Sequence, residues 1–270
     1  MSAELPAYKI YAIKYAHHDR MAGENFIGGD PHEGAMPLDY YVWAIVGQSR
    51  VFVLDTGFDA EAGRKRHREH IRDPRVGLEA IGIDPLAVED VVVSHMHYDH
   101  IGNHEPFPNA RYHVQDREMQ YATGRHMRHD ALRHSFEMDD VLQMVRRLYA
   151  KRLVFHDGLS ELALGIELHH IGGHTMGLQV VRVWTERGWV VLAADAAHLY
   201  ANIERARPFP VVYNVAEMLE GHATLLRLAD NALDRVIPGH DPLVMARYPA
   251  ARPELTGIVA RLDLPPDNAG

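Results

Sequence analysis

The chain has no cysteine anywhere in its 270 residues. Disulfides, thiolate ligands and cysteine nucleophiles are therefore excluded, and any metal site must be built from His, Asp and Glu. Basic charge is also scarce. Lys and Arg number 28 against 37 Asp and Glu, giving a formal net charge of −9 and a pI near 6.1. A nucleic-acid groove needs a basic surface, so no nucleic-acid partner is expected. The one basic run, Arg64-Lys65-Arg66-His67-Arg68, sits among Glu61, Glu69 and Asp73 and reads as the solvated face of a helix. No stretch reaches the roughly 18–20 apolar residues of a membrane span. Met1–Arg20 lacks the apolar core of a secretory signal. A cytoplasmic location with no membrane attachment is the expectation. Tandem repeats and low-complexity linkers are missing too. One domain over residues 1–270, monomeric or homodimeric, is expected, and 47% hydrophobic residues suffice for a large core.

Histidine, by contrast, is plentiful, with 20 in the chain. The most informative run is Ser94-His95-Met96-His97-Tyr98-Asp99-His100, directly after the apolar Val91-Val92-Val93. It reads as a buried strand that ends by delivering metal ligands. Side chains alternate faces along an extended segment, so His95 and His97 point the same way. Asp99 and His100 follow where the chain turns and can face a second ion. Imidazole and carboxylate suit Zn²⁺, Fe²⁺ or Mn²⁺.

Further strand-like runs end in the same residue types. His174 follows Gly172-Gly173, where the glycines allow a sharp turn. Asp195 ends Val190-Val191-Leu192-Ala193-Ala194, and an acid there is costly unless paired or metal-bound. His240 follows Val236-Ile237-Pro238-Gly239. Together these make five His and two Asp at strand ends, the count for two ions bridged by one carboxylate.

Around these ends, strands are expected at Tyr8–Tyr15, Tyr40–Val46, Val51–Asp55, Asp90–Ser94, Ala110–Val114, Ile166–Ile171, Gln179–Thr185, Trp189–Ala194 and Asp234–Ile237. The second and third form a hairpin turning near Gly47-Gln48. Residues 60–72, 117–150 and 215–230 read as helical. His17 to Met36 reads as a long loop, and the tail after Pro249 as helical at most. Strands in two groups, each followed by helices, suggest an α/β four-layer αββα sandwich.

The run His95-Met96-His97-Tyr98-Asp99-His100, with Leu54-Asp55-Thr56-Gly57 upstream and Gly173-His174-Thr175, Asp195 and Pro238-Gly239-His240 downstream, resembles the metallo-β-lactamase superfamily over about residues 8–245. Within it, three stretches resemble the N-acyl-homoserine-lactone lactonases, which act in quorum quenching. They are Ser94–Asn103 running into Phe107-Pro108-Asn109-Ala110, then Val114–Glu118, then His156-Asp157-Gly158 through Leu168 to the Gly-Gly-His turn. The resemblance implies one ion on His95, His97 and His174 and another on Asp99, His100 and His240, with Asp195 bridging. Two zinc ions are the first expectation, with iron or manganese as alternatives. Asp55 would either orient a ligand imidazole or simply form a turn. The long loop resembles one flanking an acyl groove. Met21, Phe26 and Met36 would line that groove or pack the loop down.

One position departs from the family pattern. The lactonases usually carry a tyrosine three residues after the bridging aspartate, and here that position is His198, with Tyr200 two further on. His198 would donate a hydrogen bond in the tyrosine's place, or lie at the surface. The implied reaction is attack of metal-activated hydroxide on a lactone carbonyl, with Asp99 orienting the nucleophile. The small-molecule substrate would be an N-acyl-homoserine lactone, or another lactone, ester, thioester or cyclic amide. A non-haem iron redox protein and a metal-free binding scaffold fit the residues less well.

Overall fold

The computed structural model describes residues 5–32 and 34–267. Glu33, inside the expected loop, and both ends of the 1–270 span lie outside the described residues. In chain order the strands are β1 (Lys9–His18), β2 (Leu38–Val46), β3 (Val51–Leu54), β4 (Glu69–His70), β5 (Asp90–Val92), β6 (Arg111–Gln115) and β7 (Leu153–His156). They continue as β8 (Ser160–Ala163), β9 (Ile166–His170), β10 (Gln179–Thr185), β11 (Gly188–Ala194), β12 (Val236–Pro238) and β13 (Val259–Arg261). One sheet has eight strands in the order β13-β1-β2-β3-β5-β6-β7, with β4 also paired to β1. The other has five, ordered β12-β11-β10-β9-β8. The series β3, β5, β6, β7 is parallel, as is the pair β11 and β12.

Alternation decides which layer each side chain enters. From β2, Tyr41, Trp43 and Ile45 enter the apolar layer between the sheets, with Phe52, Leu54, Val92, Leu168, Val181 and Leu192. The intervening Tyr40, Val42 and Ala44 join Val53, Val91, Val93 and Val114 on the other face, under Leu78 and Met144 of the helices Pro74–Ala80 and Met138–Tyr149. In β11 the same split puts Val190 and Leu192 inside and Val191 and Ala193 against Leu225 of the helix Val215–Leu228. Both faces of both sheets are thus covered, which gives the expected four-layer αββα sandwich. Burying one such side chain contributes roughly 1.5–3 kcal/mol. A one-residue slip would exchange the layers, so the register is strongly specified. No described helix is long and apolar enough to cross a membrane.

Several stretches differ from the sequence-based expectation. Residues 60–72 are not one helix. The helix Ala60–Lys65, capped by Asp59, gives way at His67 (φ 55°), and the chain returns as β4 with His70 opposite Ala16. The expected loop begins later than His17, because β1 runs on beside β2 to His18. The tail beyond Pro249 supplies β13, which covers the other edge of β1 with Ala260 opposite Ala12. A free sheet edge favours such a partner, and three residues are too few for alternation to show. The strands β7 and β8, at Leu153–His156 and Ser160–Ala163, were not expected.

Candidate metal centre

Parallel strands bring their carboxyl ends to one edge of the sandwich, and the candidate site forms there. After β5 the chain runs through Ser94-His95-Met96-His97, bending at Ser94 and His97, then makes the short helical turn Tyr98–Ile101. This one segment delivers His95, His97, Asp99 and His100. The second sheet adds His174 after β9, Asp195 at the end of β11 and His240 after β12. All seven are buried. The structure therefore brings together every residue expected as a ligand. Their ligand atoms form overlapping groups whose members lie within 4.8 Å of one another: His95, His97 and His174; His95, His100 and Asp195; Asp99, His100 and His240; and His174, Asp195 and His198.

Asp195 links the groups. Its Oδ2 lies 3.3 Å from His174 Nε2 and 3.8 Å from His95 Nε2. Its Oδ1 lies 3.0 Å from His240 Nε2 and 3.3 Å from His100 Nε2. One carboxylate thus presents an oxygen to each histidine group.

The hydrogen bonds behind the rings set which nitrogen faces inward. His174 Nδ1–H donates to the Val211 carbonyl at 2.6 Å, and His240 Nδ1–H to the Asp39 carbonyl at 2.9 Å. His100 Nδ1–H donates to Asp55 Oδ2 at 2.7 Å. The Ser94 hydroxyl also donates to Asp55 Oδ2 at 2.7 Å, which leaves its oxygen to accept from His95 Nδ1–H at 3.0 Å. A neutral ring protonated on the far nitrogen presents its lone pair to the centre. Asp55 accordingly orients His100, and through Ser94 it orients His95. The inner nitrogens of His95, His97 and His174 stand 3.0, 3.0 and 3.1 Å apart. Zn–N bonds of about 2.0–2.1 Å at tetrahedral angles would impose roughly 3.3 Å, so the triangle fits a metal.

Backbone strain gathers at the same strand ends. Asp55 (φ 63°) and Ala194 (φ 41°) adopt left-handed conformations without being glycine. Gly173 has φ 81°, and a Cβ there would come within 2.6 Å of the Met218 backbone. Its role is close approach to the helix Val215–Leu228, which seats the His174 turn.

Burial and charge act differently on the rings. Burial, aided by the neighbouring imidazoles, pushes His95 well below the usual imidazole range. Burial does the same to His97, and it brings His174 and His198 down to about 4. These rings are neutral at pH 7, the form that binds a metal. For His100 and His240 burial also opposes charge, but Asp195 and Asp99 outweigh it and raise both. Burial would raise Asp195, yet His240, His100 and His198 hold it well below the carboxylate range. The buried His100 Nε2 and Asp195 Oδ1 have no hydrogen-bond partner among the described residues. Carboxylates drawing positive charge onto imidazoles, with inner atoms left unbonded, are what a pair of divalent cations would satisfy.

His198 lies in the same cluster and is not at the surface. It is 6% exposed, stacks on Phe209 at 3.4 Å and has Nε2 at 2.9 Å from Asp195 Oδ2. Tyr200 points elsewhere, into the layer between the sheets, with the Arg247 guanidinium over its ring. A cavity of about 70 Å³ opens over the centre, lined by His97, Asp99, His174, Asp195, His198 and His240, and also by Arg20, Arg68, Tyr40 and Tyr98. Met21, Phe26 and Met36 are not among its walls. Phe26 is buried beneath the guanidiniums of Arg205 and Arg207, and Met36 packs on the core.

Two features escaped sequence reasoning. The basic run is not one solvated face, because Arg68 reaches the cavity and Arg66 lies over Tyr98 at 4.0 Å. Glu118 is fully buried and ties two ligand-bearing segments together. It accepts Met96 N–H at 2.8 Å, the Thr175 hydroxyl at 2.6 Å and Gly177 N–H at 3.0 Å. Burial lifts its carboxyl to about 7 despite these bonds. A glutamate in the first turn of the helix Asp116–Ala122 ordinarily signals helix capping, which hides this role.

Fold and site together define the class. The chain belongs to the metallo-beta-lactamase superfamily, whose family model matches residues 35–240. It is similar to the N-acyl homoserine lactonase AttM of Azorhizobium caulinodans, with 32% identity over 173 residues, 61% of this chain and 62% of that protein. It is also similar to an N-acyl homoserine lactonase of a Bacillus species, with 30% identity over 133 residues, 49% of this chain and 48% of that one. The chain thus aligns with less than two thirds of the length of either relative. Among solved structures, a quorum-quenching N-acyl homoserine lactone lactonase superposes with a TM-score of 0.72 at 21% identity, covering 88% of this chain and 93% of that one. That likeness is one of fold.

Proposed function

We propose that this chain is a metal-dependent hydrolase that opens a lactone ring, converting N-acyl-homoserine lactone to N-acyl-homoserine, as a single cytoplasmic domain over residues 1–270. In this reading His95, His97 and His174 hold one divalent ion, Asp99, His100 and His240 hold the other, and Asp195 bridges them. The observation that carries it is the placement of the Asp195 oxygens, one toward each histidine group. The sequence relatives are named as N-acyl homoserine lactonases. A structural neighbour with a TM-score of 0.63 at 17% identity, covering 88% of each chain, is described as a dizinc quorum-quenching lactonase. Zinc is the ion this donor set fits first.

Two such ions, when bound, acidify a water to near neutral pH and polarise a carbonyl. The chain's own residues do the rest. Asp99 faces the cavity and orients the nucleophile. His198, neutral at its depressed pKa, donates Nε2–H to Asp195 Oδ2, and turning that bond from Asp195 to the oxygen that gains charge would make it the donor there. The ring oxygen leaves as a tethered alkoxide and takes a proton, so the product is a hydroxy acid. A larger cavity of about 720 Å³ lies beside the site, with an apolar part made by Met127, Phe136, Met138, Val141 and Leu142 and a charged part made by Lys65, Arg66, Asp130, Arg133 and Glu137. Phe136 also packs on His97, with ring centroids 4.6 Å apart. This cavity suits an acyl chain, and it replaces the N-terminal loop as the groove.

The test is hydrolysis of N-hexanoyl-homoserine lactone by zinc-loaded protein, followed as acid release. Efficient opening is expected. Failure on every lactone, with efficient thioester or amide hydrolysis, would overturn the substrate and leave the metallohydrolase.

A further inference from the structure

The lining of the small cavity over the candidate ligands also holds two under-neutralised cations. Arg20 and Arg68 both line it. Within the basic run the arginines fare differently. Arg66 is matched by Glu137, at 2.6 and 3.1 Å from the same carboxylate oxygen, and by the His134 carbonyl. Arg68 donates to the Arg66 carbonyl at 2.8 Å, and its buried Nε has no partner among the described residues. Its remaining neighbours are the Tyr40 and Tyr98 hydroxyls, not carboxylates. Arg20 has only a loose acidic partner, with Nε 3.9 Å from the half-exposed Glu24 carboxylate, and its Nη2–H donates to the Glu24 carbonyl at 2.6 Å. Burial and the charges of Arg68 and Arg20 together bring the adjacent His18 down to about 4. Two arginines line one cavity, one of them with an unpartnered buried N–H, and the guanidinium is the side chain whose donors match a carboxylate.

We propose that Arg20 and Arg68 form a carboxylate-binding wall in the cavity over the metal-ligand residues. The proposal rests on the lactonase reading, in which Asp99 and Asp195 of the same lining are committed to cations. Such a carboxylate has two sources. Ring opening makes one where the substrate was neutral, so the wall would favour product-like charge over the bound lactone. Alternatively the substrate already carries one as a substituent.

The experiment is calorimetric titration of zinc-loaded protein, which needs no turnover. In the first arm the ligands are N-hexanoyl-homoserine and its methyl ester. In the second they are 5-oxotetrahydrofuran-2-carboxylate and its methyl ester, titrated into protein carrying Asp99→Asn to suppress ring opening. In each arm the carboxylate should bind more tightly than the ester. Arg68→Gln should shrink that gap about tenfold and the double variant with Arg20→Gln further, because a double-mutant comparison isolates the pair. Arg68→Lys should keep part of the gap. Arg64→Gln, which removes the same charge from an exposed position of the same run, should leave it in place. Shrinkage in the first arm alone assigns the wall to the released carboxylate; shrinkage in the second alone assigns it to a substrate-borne one. A gap unchanged in the double variant in both arms overturns the proposal, even if lactones are hydrolysed well. Thermal unfolding of each variant guards against a folding defect. If no lactone is opened but the gap still shrinks, the lactonase reading fails and the carboxylate site stands.

Discussion

At its start, β5 carries Asp90, 1% exposed and held by Arg50 at 2.6 Å, Arg111 at 2.7 Å and His113 at 3.0 Å. At its far end the chain runs into His95, His97, Asp99 and His100, facing Asp55 and Asp195. Both ends are buried clusters of His and Asp, and they close their charge in opposite ways. Around Asp90 two guanidiniums and an imidazole meet one carboxylate. At the other end the only cationic partners of three carboxylates are imidazoles, and none of the three pairs with an Arg or Lys among the described residues. Inner atoms of His100 and Asp195 stay unbonded there. Composition does not separate a structural cluster from a metal site. What separates them is whether the protein completes its own charge, because an uncompensated buried carboxylate is expensive.

The largest effects should come from breaking the open end. His97→Ala and Asp195→Ala are expected to reduce lactone-opening rate by several orders of magnitude, and elemental analysis should show metal content falling from about two equivalents. His113→Ala, at the closed end, and His104→Ala, which removes a contact to Asp140 and Arg147, should keep both metals and most of the rate. Chelation should lower Tm, because the ions bind only the folded site. Equal metal loss in His97→Ala and His113→Ala would erase the distinction between the two ends.

Glu118 sharpens the comparison from behind the open end. Glu118→Ala leaves Met96 N–H, Gly177 N–H and the Thr175 hydroxyl buried without an acceptor. Each such loss costs about 1–3 kcal/mol, so urea unfolding should show at least about 3 kcal/mol of destabilisation. Metal affinity should fall as well, since both ligand segments loosen. A variant as stable as the wild type, with unchanged metal affinity, would remove Glu118 from this role.

His198 comes next. His198→Ala should lower kcat by ~10²-fold, about 2.7 kcal/mol, the size found for electrostatic donors of this type. Metal content should stay near two equivalents. His198→Tyr should retain more activity than His198→Ala. Loss of an ion in the alanine variant would instead make His198 a ligand, through its group with His174 and Asp195.

The sequence disclosed what depends on short spacing. His95 and His97 are two apart in one short run, and the strands buried on both faces are continuously apolar, so site and sandwich were both readable. What stayed hidden depends on pairing across long separations. Arg66 and Arg68 belong to one uniform basic run, yet Arg66 finds Glu137, 71 residues away, while Arg68 turns to the cavity. Glu118 acts through partners 22, 57 and 59 residues distant. The strand β13 exists because β1 leaves an edge for it, not because Val259–Arg261 carries a pattern.

The closed end yields the smallest effect and the clearest sign. Burial would raise the Asp90 carboxyl, but hydrogen bonds from His113 and Arg50 and the charge of Arg111 bring it down to about 2. An unfolded Asp titrates near 3.9, so the difference corresponds to about 2.6 kcal/mol of stability at neutral pH. A depressed carboxylate contributes fully above its unfolded pKa, and loses that contribution as pH falls through the folded value. The stability gap between wild type and Asp90→Asn should therefore be flat from pH 7 to 5 and narrow only below about pH 4, as read by urea unfolding. Asp90→Asn should not change metal content, because its partners lie at the other end of β5 from the ligands. A gap that already changes between pH 7 and 5 would mean that groups other than the Asp90 carboxyl set the pH dependence of this cluster. Loss of metal in Asp90→Asn would mean that strain at one end of β5 reaches the other, and that the two clusters are not independent.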